Sequence, residues 1–145
     1  MEVLMSFDEK NAWVFGVIAI AGYVTYLVLL FTAAGGGPLA EAPYVAPMVG
    51  TILGAIGAGI IGGIVLGIAN PKETTSDRRD KQISWFGERI GNWFVIAGGL
   101  GALLLCFVEV PHFWIANLIY LCFVLSAILS TVVRLVAYRR GLREW

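Results

Sequence analysis

The stretch Gly50–Gly67, GTILGAIGAGIIGGIVLG, limits what this chain can become more than any other. It carries no charge, and seven of its eighteen residues are glycine. In water each glycine costs a helix roughly 1 kcal/mol against alanine. In lipid, unwinding would leave backbone N–H and C=O groups without partners, so the helix holds. Residues four apart share a helix face. Ala55, Gly59, Gly63 and Gly67 form one row of small residues, and Gly50, Gly54, Ala58 and Gly62 form a neighbouring row. Leu53, Ile56, Ile60 and Ile64 collect on the other side. Small residues at this spacing let helix backbones approach, and van der Waals contact replaces the missing hydrophobic drive. The stretch reads as a membrane-spanning helix, its small side toward protein and its bulky side toward lipid. That small side could pack within the chain, form a seam between copies, or wall a pore.

The rest of the chain fits the same solvent. Of its 145 residues, 59% are hydrophobic and only 14% charged, too much apolar surface for a soluble domain of this length to cover. A span needs about 20 apolar residues to cross a hydrocarbon core of about 30 Å. Four stretches qualify: 13–33, 45–68, 90–108 and 113–136. The expected fold is therefore an all-α membrane protein with four transmembrane helices and a single transmembrane domain. The polar connector 70–89 lies between the second and third spans. Within it, Thr75 or Ser76 can start a helix, Asp77 and Lys81 stand one turn apart, and Ile83, Phe86 and Ile90 form an apolar stripe. That pattern predicts an amphipathic cytoplasmic helix that bends or runs into the third span.

Charge orients the spans. Lys10 precedes the first; Lys72, Arg78, Arg79, Lys81 and Arg89 lie near the middle connection; Arg134, Arg139, Arg140 and Arg143 close the chain. The other two connections carry only Glu41 and Glu109. All basic residues then fall on one side, which places both termini in the cytoplasm of a cell with the chain in its inner membrane. The first span is too long, and its lead too acidic, for a cleaved signal peptide. Asp8 or Asn11 could cap its helix, and Trp13 suits an interfacial anchor.

Glycines also mark the third span: Gly87 and Gly91 at its inner end, then Gly98, Gly99 and Gly101. It is the expected partner for the glycine rows of the second span. Tyr23 and Tyr26 lie deep in the first span, where their hydroxyls need acceptors on neighbouring helices. An echo at an offset of 68 residues links Glu41, Pro43 and Tyr44 to Glu109, Pro111 and His112. It suggests a 2+2 parallel repeat of helical hairpins, related by an axis along the membrane normal, with spans one and three in equivalent places.

Chemistry is sparse. Cys106 and Cys122 have no paired spacing, and helix rise sets them at different depths, so a disulfide is not expected. His112 is the lone histidine. No nucleophile–base pair, phosphate loop or zinc spacing occurs, and no ionisable residue lies deep in a span. The reading is a non-enzymatic chain with no cofactor, no metal and no direct nucleic-acid contact.

Asp77-Arg78-Arg79-Asp80-Lys81-Gln82-Ile83 and Gly87-Glu88-Arg89-Ile90-Gly91-Asn92-Trp93 together form an acidic–basic lead into a glycine-bearing span. This stretch resembles the start of the C-terminal helix pair in small prokaryotic four-helix membrane proteins of unknown function, which often accompany a helix-turn-helix regulator. The resemblance implies a regulatory or partner-binding role, with Arg78, Arg79, Lys81 and Arg89 as partner or lipid contacts. The expected function is an interaction or regulatory subunit, acting through close helix packing and a charged cytoplasmic helix. Its partners would be the bilayer and either another copy or a second membrane protein. The alternative is a small transporter or channel lined by Tyr23, Tyr26, Asn117 and Ser126.

Overall fold

The structure, a computed structural model, describes residues 5–71 and 77–141. Four helices dominate: α1 (Phe7–Ala34), α2 (Val45–Ala69), α3 (Arg78–Phe107) and α4 (His112–Arg140). Each is long and apolar enough to cross a membrane. They run up and down, so the start of α1 and the end of α4 share one end with the α2–α3 connection. That end holds every described Lys and Arg and is called the basic end below. The two short connections form the loop end.

Local chemistry sets the boundaries, which extend past the apolar windows. The Ser6 hydroxyl accepts the Glu9 N–H at 3.2 Å and caps α1, a role expected of Asp8 or Asn11. Both instead lie inside the helix, because a side-chain oxygen three residues ahead of a free N–H is the geometry a cap requires. α1 stops at Gly35, which takes a left-handed φ of 55° while its N–H reaches the Phe31 carbonyl. A 3-10 turn at Leu39–Glu41 leads into α2. Thr75 and Ser76 lie outside the described residues; Asp77 is the cap of α3, in a reciprocal box with Asp80. From there α3 is one continuous helix, so residues 78–89 run into the third span, one of the two expected forms.

The packing order corrects one expectation. α1 packs on both α2 and α4, and α3 packs on α4; α2 and α3 do not form a packed pair. α1 thus sits between α2 and α4, and α2 also reaches α4 toward the loop end, where Thr51 meets Tyr120. The reason that α2 and α3 stay apart lies in α3, four of whose five glycines are taken by α4. A Cβ at Gly91 would sit 2.7 Å from the Ser126 carbonyl oxygen, and one at Gly98 would sit 2.6 Å from the Cys122 Cβ. Gly87 lies under the Arg134 stem and near the Ser130 carbonyl oxygen, and Gly101 under Leu118. Gly87 to Gly101 spans about 21 Å of helix rise, so the two backbones touch over much of a bilayer's depth.

Where α1, α2 and α4 meet, the loop-end half holds a closed core of Tyr26, Leu30, Met48, Phe113, Tyr120 and Val124. Tyr26 donates to Asn117 Oδ1 at 2.6 Å, and Asn117 donates to the Phe113 carbonyl oxygen at 2.8 Å. The hydroxyls of Thr51 and Tyr120 meet at 3.1 Å. The rings of Tyr23 and Tyr26 both pack edge-on against Tyr120. The Tyr26–Asn117 bond thus joins α1 to α4 and the Thr51–Tyr120 bond joins α2 to α4, which is how lipid-immersed bundles use polar side chains.

Candidate functional site

The α2 glycines divide into covered and bare. α1 covers three positions: a Cβ at Gly59 would meet the Phe15 ring at 2.9 Å, and one at Gly62 would meet Val14 at 2.8 Å. Gly22 of α1 lies against Ala55. The other α2 glycines, Gly50, Gly54, Gly57, Gly63 and Gly67, have open space where a Cβ would go. Rows of residues four apart are inclined to the helix axis. A neighbour crossing along Ala55, Gly59 and Gly62 therefore cuts across both rows. It leaves Gly50 and Gly54 bare toward the loop end, and Gly63 and Gly67 bare toward the basic end. Ala58 is also exposed. Of the readings open to the small side, packing within the chain accounts for Ala55, Gly59 and Gly62 and not for the bare positions. Leu53, Ile56, Ile60 and Ile64 are exposed, as expected of a bulky side.

Beside the bare row lies an apolar groove of about 490 Å³, between the loop-end halves of α1 and α2. Its floor is made of small residues: Ala21 and Gly22 from α1, and Ala46, Gly50, Gly54 and Ala58 from α2. No charged residue lines it.

The basic end is polar and differently built. Arg134 reaches back across α3 and donates to Glu88 Oε1 at 2.8 Å. Its stem fills the gap above Gly87, so the guanidinium is drawn inward instead of extending to solvent. Two cavities flank this pair. One, about 570 Å³, is lined by Asn11, Phe15, Ile56, Thr131 and Arg134. The other, about 820 Å³, lies over the α3–α4 seam beside Trp85, Arg89, Asn92 and Phe123. Lys10 donates to the Asn70 side chain at 3.0 Å, tying the start of α1 to the end of α2.

Of the cationic residues singled out in the sequence, Arg78, Arg79, Lys81 and Arg89 are all exposed on the first turns of α3, and Arg89 lines the larger cavity. Lys72 and Arg143 lie outside the described residues. Glu88 was missed, because a span starting at residue 90 leaves it in the connector. The available signal was Arg134, the only charge within 113–136, which calls for an acid at matching depth. Cys106 and Cys122 are free thiols, exposed and buried respectively. Among the described residues no group of three or more His, Cys, Asp or Glu side chains could hold a metal ion.

The chain was compared with protein-family models, curated proteins and solved structures, and none matches it.

Proposed function

We propose that this chain is a non-enzymatic membrane interaction subunit that assembles through α2. One observation carries the reading: the row Gly50–Gly54–Ala58 is bare, and no helix of the same chain covers it. In lipid a bare small-residue row favours another helix of like shape, since close backbone approach needs small residues on both sides. Four of the five α3 glycines are already spent on α4, and the fifth, Gly99, has Val95 and Leu103 one turn away and forms no row. Among the described residues the matching surface is another α2, so the occupant is a second copy, joined about a twofold axis.

In this reading the basic end faces the cytoplasm of the inner membrane, following the distribution of Lys and Arg. The first turns of α3 then act as an amphipathic helix that presents Arg78, Arg79 and Lys81 to a regulatory partner, the role implied by the resemblance of residues 77–93. The 2+2 hairpin reading rests on the echo at residues 41–44 and 109–112 alone, and the packing does not favour it, since α1 packs on two helices and α3 on one. A transporter reading draws on the cavities beside Glu88 and Arg134. It requires solute flux in reconstituted vesicles that Glu88→Gln abolishes.

Assembly is tested by sizing the detergent-solubilised protein. Gly54→Leu adds a side chain where the chain leaves room, so the monomer folds and the dimer is lost. Ile60→Leu, on the bulky side, leaves the dimer in place. Equal behaviour of the two variants overturns the reading.

A further inference from the structure

The groove over the α3–α4 seam has the two-part form of a phospholipid. At the basic end, the cavity of about 820 Å³ is lined by Trp85, Arg89, Asn92 and Ser126, with Phe123 at its apolar side. Phe123 also lines the next cavity along the seam, an apolar slot of about 140 Å³ between Val95, Gly99 and Ile119. Gly99 is exposed and has open space at its Cβ position, so the slot floor is bare backbone. Polar groups therefore sit at one end and a narrow apolar channel continues from it. Arg89 and Gly99 are separated by about 15 Å of helix rise.

Depth and charge fit the same occupant. Arg89 lies about 27 Å of helix rise from Phe107 at the loop end, the level where headgroups meet a hydrocarbon core of about 30 Å. Arg89 makes no ion pair among the described residues. The one carboxylate lining the cavity, Glu88, is engaged by Arg134, so the free charge is positive. Trp85 supplies an indole N–H and Asn92 an amide, both donors suited to phosphate oxygens. Arginine pairs with phosphate through two parallel N–H bonds.

We infer that this groove is a binding site for one anionic phospholipid, its phosphate held by Arg89, Trp85 and Asn92 and one acyl chain laid over Gly99. The site does not use the α2 row, so it stands or falls separately from assembly.

Protein reconstituted in mixed phosphatidylglycerol and phosphatidylcholine vesicles, then extracted in mild detergent, is weighed intact by native mass spectrometry. Wild type retains phosphatidylglycerol in preference to phosphatidylcholine. Arg89→Gln lowers that retention about tenfold, the usual scale for a lost charge-assisted hydrogen bond, whereas Arg79→Gln on the exposed first turn leaves it intact. Gly99→Leu keeps Arg89 but blocks the slot, and lowers retention too; circular dichroism confirms that both variants remain helical. Inorganic phosphate added in excess does not displace the lipid. Equal retention of the two lipids overturns the site. So does equal loss in Arg79→Gln and Arg89→Gln, and so does displacement by free phosphate, which would mark a headgroup pocket without a chain slot.

Discussion

Arg134 is held by two different means, and they contribute unequally. Its ion pair reaches Glu88, a side chain 65% exposed, and pairs that open to water are worth about 1 kcal/mol or less. Its stem packs on the glycine gap at Gly87, where long basic side chains cover apolar surface with their methylenes. Glu88→Gln is therefore expected to change unfolding in detergent by under about 1 kcal/mol. Arg134→Ala should cost more, because it removes packing as well as charge. Equal effects of the two would mean that the charge alone matters. At this scale the sequence was partly legible. Tyr26 was expected to find an acceptor on a neighbouring helix, because a buried phenol in hydrocarbon has no other recourse, and Asn117 is that acceptor. Glu88 was not legible, since hydropathy ends a span at the first charge while the helix itself continues.

At the scale of elements, two helices with the same glycine habit have opposite fates. Four of the five in α3 are pressed against carbonyl oxygens and side chains of α4; five of the seven between Gly50 and Gly67 of α2 meet nothing. Spacing marks a small-residue row, but the crossing angle decides which part of it a neighbour covers, and that angle depends on side chains of the other helix. Phe15 and Val14 of α1 cover Gly59 and Gly62 and no more. This contrast is measurable. Gly91→Leu places a side chain into the Ser126 backbone and should separate α3 from α4, lowering folded yield in detergent and exposing the α3–α4 seam to protease. Gly54→Leu should leave both unchanged. If Gly91→Leu is tolerated as well as Gly54→Leu, the α3–α4 contact is not the tight one described.

For the molecule as a whole, helix number, direction and the gathering of basic residues at one end were legible, because lipid thickness and backbone satisfaction dictate them whatever the partners. The pairing of α3 with α4 and of α2 with α1 was not, since glycine rows on α2 and α3 look equally suited to each other until α4 takes one of them. Packing of α2 mainly on α1 leaves Gly50 and Gly54 bare, and from that face follows the claim that two copies meet along α2. Cysteine cross-linking in native membranes tests it most directly, with Cys106 and Cys122 replaced by Ala so that one introduced thiol reports. Gly54→Cys is predicted to give a disulfide-linked dimer on mild oxidation, and Ile60→Cys on the bulky side to remain monomeric. A dimer through Ile60→Cys with none through Gly54→Cys would contradict the account.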